Sequence, residues 1–442
     1  MYLTFRRSFA ANVFFFVLMN NTKFTQKSWN ALFASNFFGV FNDNLLKNAI
    51  IFISVGWALP AWLNQSQLIS LVSAALVLPY LLLSPLGGRL AVRYSKLKVF
   101  RLFKLIEFPI MLVAAVAFCF EWVMPAILAV FLMGIQSCLY SPAKYSLIRD
   151  IGGEEGVSYG SGVFEMMAFL GILIGTVVAS VISDFYSTWM IVAAFFLVAF
   201  AGYFATVKIR VNELPTEPSE AGLHPFRFLL LSYRRAKAYP KVNIAIFGSS
   251  AFWLIGGMLQ MNLVIHSKNV YQLSNAGTGL IMSLAAIGIA VGSWLAGKLS
   301  GNQPQKAFVL PGLAGIVLFM ILLSLFRLPV WFYGFSVFVL AMSGGFFQIP
   351  LLATLQHADT GRKLGDVIAY LNLVTFIFVL IGTAFFSLTT MLSNENSFVV
   401  FGVIAAISIL VMTVFIRKAP EFVSESGALL SKLLRKGNHQ KL

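Results

Sequence analysis

The chain has 442 residues, 59% hydrophobic and 11% charged, with a mean hydropathy of +0.85 and a formal net charge of +16. A soluble domain carries about 25% charged residues, so this composition excludes a soluble fold and describes a polytopic membrane protein. The positive charge is a topology signal and an affinity for anionic headgroups rather than a nucleic-acid footprint.

Residues 1–28 are expected to be a dispensable N-terminal extension. Arg6 and Arg7 followed by the apolar run from Phe9 to Met19 imitate a signal peptide, and Met19 itself is a second candidate start. Apolar runs long enough to cross a hydrocarbon core of about 30 Å follow at 30–58, 68–90, 100–120, 123–147, 160–183 and 187–207. The first of them contains FNDNLLKN, Phe41 to Asn48, which packs an acid, a base and three amides into two helical turns. Asp43 and Lys47 stand four residues apart, on one helix face and within pairing reach, as do Asn44 and Asn48. One reading makes Asp43 and Lys47 an internal ion pair. Such a pair is often no more stabilising than leucine and leaves the asparagines unexplained, so a wetted cavity wall is the better reading.

Glu107 in span 3 and Glu165 in span 5 are the other acids within the first-half spans. Burying a carboxylate in a membrane costs several kcal/mol unless it is paired or wetted, which makes each a functional candidate. Span 4 ends in QSCLYSPAKYSLIRD, where Pro142 is expected to disturb the helix, and Lys144, Tyr145 and Arg149 either face a cavity mouth or snorkel to headgroups. Cys119 and Cys138 both fall in spans and read as small buried residues, not a disulfide.

Residues 208–241, with Pro215, Pro218 and Pro225, form the longest polar interruption and read as a linker. Six more spans follow at 242–265, 276–299, 307–326, 330–355, 366–391 and 397–416, and a basic tail occupies 417–442. Span 7 carries Trp253, Gln260 and Asn262, and Phe346, Phe347 and Gln348 precede Pro350 in span 10, so polarity here is aromatic and amide where the first half is charged. Such asymmetry suits an amphiphile, its head against the first half and its chain along apolar walls.

Lys and Arg crowd the even-numbered connections, as in Arg89, Arg93, Lys96 and Lys98 after span 2, which puts both termini in the cytoplasm by the positive-inside rule. The two halves, 29–207 and 242–416, echo each other. LAVRYS at Leu90 recurs as LAGKLS at Leu295, an offset of 205, and Ile174-Gly175-Thr176 recurs as Ile381-Gly382-Thr383, an offset of 207. Pro142 finds Pro350 at 208, and Glu165 has Asn372 as its counterpart at 207. The fold expected is therefore all-α, twelve transmembrane helices in two six-helix halves, with a site between the halves near the midplane.

In FFGVFNDNLLKNA (Phe37 to Ala49), SPLGGRLAVRYSK (Ser84 to Lys96), FLMGIQSCLYSPAKYSLIRD (Phe131 to Asp150) and FEMMAFLGILIGT (Phe164 to Thr176) the sequence resembles the lysophospholipid transporter (LplT) family of the major facilitator superfamily. FWLIGGMLQMNL and IPLLATLQ match less closely. The resemblance implies movement of lysophospholipid, typically lysophosphatidylethanolamine, across a bacterial inner membrane for reacylation inside. It also implies a cytoplasmic acyltransferase as partner. No cofactor and no metal are called for. Asp43, Asn44, Lys47, Lys144 and Glu165 become headgroup candidates, with Gln260 and Asn372 opposite them. A zwitterionic head needs opposite charges at separate places, Lys47 or Lys144 for the phosphate and Asp43 or Glu165 for the ammonium.

Gly88, Arg89, Arg93 and Lys96, in the loop after span 2, are the expected gating positions. This sequence departs from the superfamily pattern there: Gly88 is followed at the fourth place by Val92 rather than an acid, and Asp366 stands after span 10 where a basic residue is commoner. An acyltransferase is the enzymatic rival, but its H-x-x-x-x-D signature is missing, since His224, His266 and His357 are followed five positions on by Leu229, Tyr271 and Arg362. The transport rival is a proton-coupled carrier of another amphiphile, such as a drug, siderophore or cell-wall precursor, with Asp43 or Glu165 as the coupling carboxylate.

Overall fold

A computed structural model describes residues 23–61, 63, 65–184, 187–214, 224–239, 241–358 and 363–439. Most of the 1–28 extension, including Met19, lies outside these residues. The helices are α1 (Lys23–Ile53), α2 (Gln65–Arg93), α3 (Lys96–Cys119), α4 (Val123–Asp184), α5 (Thr188–Val207) and α6 (Pro225–Ala236). They continue with α7 (Val242–Asn269), α8 (Asn275–Ser300), α9 (Val309–Leu325), α10 (Val330–His357), α11 (Leu364–Leu392), α12 (Ser397–Lys418) and α13 (Pro420–His439). Among the described residues, 10 helices are long and apolar enough to cross a membrane. One of these, Val123–Ser183 within α4, is 61 residues long and makes two passes, and α1, too polar at FNDNLLKN to register by hydropathy, makes the last of the twelve.

The largest difference from the sequence reading is at the first span. The first span begins earlier and stops at Ile53, where Ser54–Gly56 tighten into a 3-10 turn before Pro60. Spans 4 and 5 are separate helices, as expected, and meet without an intervening loop as the two limbs of α4 at Gly153, whose φ of 61° and ψ of −166° break the helix and turn the chain. No atom stands within 4 Å of where a Gly153 side chain would begin, so it is the positive φ that calls for glycine. The bend folds over Trp29 of α1, whose ring lies against Gly152 and Gly160. Pro142 does not break its limb: the helix runs on, and the Ser146 hydroxyl donates to the Pro142 carbonyl at 2.7 Å.

The first half has one apolar core around Leu45, Phe118 and Phe195 and another around Trp29, Phe100 and Leu147, while the second half has a single core around Phe252, Leu351 and Phe415. The repeat in the sequence corresponds to repeated packing. A Cβ on Gly175 of α4 would lie 2.5 Å from the Phe41 carbonyl of α1, and one on Gly382 of α11 would lie 3.1 Å from the Leu254 carbonyl of α7. The small residues let each helix pair touch backbone to backbone.

The halves meet along two seams at the end of the bundle that carries the basic connections, here the basic end. In one, a Cβ on Gly162 of α4 would lie 2.6 Å from the Ser293 carbonyl and 2.8 Å from the Gly297 Cα of α8. In the other, a Cβ on Gly88 of α2 would lie 2.6 Å from the Ala369 Cβ of α11, and Val92 packs on Gly365. These are images of one another under the repeat. Adding 205 to Gly88 and Val92 gives Ser293 and Gly297, and subtracting 207 from Ala369 and Gly365 gives Gly162 and Ser158.

Of the expected gating positions, Gly88 lies on a seam. Lys96 instead braces the first half internally through a 2.7 Å ion pair with Asp150. Arg93 points outward over the Tyr94 ring, 5.7 Å from its centroid, and Arg89 is half-buried. Where the acid of the superfamily loop is missing, Val92 makes an apolar contact. The acid of this region is Asp366, with an oxygen 3.1 Å from where a Gly88 Cβ would stand.

Candidate functional site

Between the halves lies a cavity of about 480 Å³, within the range of small-ligand sites. Its charged lining residues are Asp43 of α1, Lys144 of the first limb of α4 and Glu165 of the second limb, all from the first half. The second half contributes the amides Gln260, Gln348 and Asn372 and an apolar wall that includes Phe252, Trp253, Met282 and Ile289. One side of the cavity is thus ionic and the other greasy.

Hydrogen bonds fix the ionic side. The Ser137 hydroxyl donates to the Asp43 carboxylate at 3.0 Å, and the Tyr145 phenol donates to the Glu165 carboxylate at 2.8 Å, bracing the two limbs of α4 against each other. The Lys144 ammonium stands 5.2 Å from the ring centroid of Tyr140, 5.6 Å from that of Tyr145 and 5.4 Å from that of Phe164. Among the described residues it makes no ion pair, so aromatic faces hold the cation in place of a carboxylate.

Cross-half contacts floor the cavity toward the basic end. The Asn372 amide donates to the Ser141 hydroxyl at 3.0 Å, and the Gln356 amide to the Ser161 hydroxyl at 3.2 Å. The Arg149 guanidinium donates to the Ala358 carbonyl at 3.0 Å. Higher up, Tyr80 stacks on Phe376 with centroids 4.1 Å apart, and Phe169 on Trp253 at 5.9 Å.

Behind this wall lies a second charge cluster, closed to the cavity. Lys104 and Glu107 of α3 pair at 2.6 Å with side chains 0% and 1% exposed, and Asn42 of α1 donates to the same carboxylate at 2.5 Å. The lysine fits because its ammonium occupies space that a Cβ on Gly39 of α1 or Gly202 of α5 would take, 3.1 Å from each.

Five of the seven substrate candidates from the sequence, Asp43, Lys144, Glu165, Gln260 and Asn372, line this one cavity. Asn44 does not: its amide donates to the Val40 carbonyl of its own helix at 2.8 Å, and its Cβ faces Gly175. Asn48 likewise turns to Thr176, at 2.9 Å. Lys47 is half-buried one turn beyond Asp43, off the lining and without an ion pair to it among the described residues. FNDNLLKN therefore divides its polarity by helix face. Asp43 serves the cavity, Asn42 the Lys104 cluster, and Asn44 and Asn48 the packing against α4. The residues the sequence reading passed over are Tyr80, Ser137 and Tyr140, whose neighbours in the fold, not in the chain, give them their place.

The family model described as Major Facilitator Superfamily matches residues 32–383. A protein named lysophospholipid transporter LplT from Shigella flexneri serotype 5b is 26% identical over 379 residues, which cover 84% of this chain and 91% of that one. Its namesake from Yersinia pestis is 27% identical over 358 residues, covering 78% and 83%. Among solved structures, the human organic anion transporter MFSD10 superimposes with a TM-score of 0.71 at 14% identity, covering 88% of this chain and 99% of that one, a likeness of fold.

Proposed function

The chain belongs to the Major Facilitator Superfamily, and from that premise we propose that it moves lysophospholipid, lysophosphatidylethanolamine first, across a bacterial inner membrane by alternating access. The observation that carries this reading is the split cavity, with Asp43, Lys144 and Glu165 on one side and an apolar wall on the other. A soluble cargo favours polar walls all round, whereas a single-chain lipid needs both surfaces at once. The names of the relatives in Shigella and Yersinia point the same way.

In this mechanism Lys144 takes the phosphate. Its aromatic cage holds it in the empty site more weakly than a phosphate does in the loaded one, because a charge-assisted hydrogen bond is stronger than a cation–π contact. Asp43 or Glu165 takes the ammonium, and the acyl chain lies along Phe252, Trp253 and Ile289. Lys47, roughly 6 Å further along α1 by helical rise, meets the head on its way in. With the basic end cytoplasmic, as the loop charges favour, the closed seams describe the state that loads from the outer face. Release inward requires Gly162 and Gly297 to part, and Gly88 and Ala369 with them, after which a cytoplasmic acyltransferase consumes the product.

Uptake of labelled lysophosphatidylethanolamine into proteoliposomes tests this, comparing wild type with Lys144→Ala and Asp43→Asn at equal folded amounts. A hydrogen bond to a charged group contributes about 1.5–3 kcal/mol, so each variant is expected to lose roughly 10- to 100-fold in uptake efficiency. Wild type that moves no lysolipid defeats the reading. A proton-coupled carrier of another amphiphile is the second reading, favoured by one observation: neither Asp43 nor Glu165 is ion-paired among the described residues. Uptake that collapses with an uncoupler, and that extends to drugs or siderophores, selects it.

A further inference from the structure

Helix α6 plays no part in the cavity, yet it packs against both α2 and α11, the two helices that close at Gly88 and Ala369. Its buried side is narrow, formed by Phe228, Ser232 and Ala236. On the opposite side Phe226 is 65% exposed and Leu230 and Tyr233 are each 45% exposed. Their spacing of four and three residues aligns them along one stripe. Arg227, Arg234 and Lys237 are exposed on the same side, and the Lys237 ammonium stands 4.9 Å over the Tyr233 ring. From Pro225 to Lys241 the sequence holds no acid.

Water disfavours a row of large exposed apolar side chains, and hydrocarbon disfavours three cations. The layer that accepts both is the headgroup region of a leaflet, and cations without interspersed acids match anionic lipid rather than zwitterionic lipid. We propose that this face of α6 binds anionic phospholipid headgroups, with the helix lying in the plane of the leaflet at the basic end. Lipid bound there holds a helix that touches both sides of the α2–α11 seam, so leaflet composition acts on the gate.

Hydrogen exchange of the full chain in nanodiscs tests this without reference to transport. Discs of phosphatidylcholine alone are compared with discs containing phosphatidylglycerol. The amides of residues 226–237 are expected to exchange at least about fivefold more slowly in the anionic discs, a fraction of what three cations at a charged surface supply. The slowing is expected to vanish in high salt and in the Arg227→Gln/Arg234→Gln/Lys237→Gln variant, while exchange in α12 stays unchanged. Equal exchange in both discs overturns the proposal, as does anionic protection that persists in the triple variant or in high salt. The wild-type comparison at two salt concentrations decides the matter even if the variant fails to fold.

Discussion

Lys104→Ala is expected to destabilise the protein by about 3–5 kcal/mol, the cost of removing one partner from a buried ion pair. Among the described residues the Glu107 carboxylate, 1% exposed, would keep only the Asn42 amide, and the slot between Gly39 and Gly202 would stand empty. Lys104→Met with Glu107→Leu is expected to recover most of the loss, because it removes the stranded charge and refills the space. Thermal unfolding of the detergent-solubilised protein reads this as a fall of roughly 3–5 °C for the single change and about a degree for the double. A single variant that melts with wild type would mean that the pair contributes nothing, and that α3 is held by its apolar face alone.

The second large effect concerns closure. A Cβ on Gly297 would lie 2.9 Å from both the Gly162 Cα and the Ser158 carbonyl, so neither backbone has room for one. Gly297→Val adds two further methyl groups, which the seam accommodates only by opening. Transport is expected to stop, while a cysteine at Ser141, placed in a background lacking Cys119 and Cys138, reacts at least about tenfold faster with an impermeant thiol reagent from the basic side, a shift of roughly 1.4 kcal/mol toward the open state. Lost transport with unchanged labelling would place the defect elsewhere than in closure.

The sequence made the helices and the split character of the halves legible because both are written in composition over windows of twenty residues. The spans at 187–207 and 330–355 differ from α5 and α10 by no more than two residues at either end. Glu107 was legible as an intramembrane acid, and Lys104 three residues before it lies on the same face by spacing alone. What the chain order could not reveal is the third partner, Asn42, 65 positions away, or the two glycines that make room for the lysine. The same holds for FNDNLLKN: its polarity was conspicuous, but assigning Asp43 to the cavity and Asn44 to α4 needs the rotation of α1 within the bundle. The bend at Gly153 was hidden for another reason. A polar, glycine-containing stretch between two spans reads as loop, whereas the chain keeps helical turns on both sides of Gly153 and buries Trp29 in the angle.

The tie between the two limbs of α4 has a mechanical consequence. The first limb carries Lys144 and Ser141 on the cavity floor, the second carries Gly162 on the seam, and the Tyr145–Glu165 bond ties the limbs like the crossbar of a letter A. A crank tied in this way passes movement of one limb to the other while the Tyr145–Glu165 bond holds. Whatever free energy a headgroup gains at Lys144 in one orientation of the crank and loses in the other is the whole of what it can spend on moving the seam. Loading and gating are then coupled through that bond, and tighter holding of the lipid slows its release unless the inward orientation holds it less well.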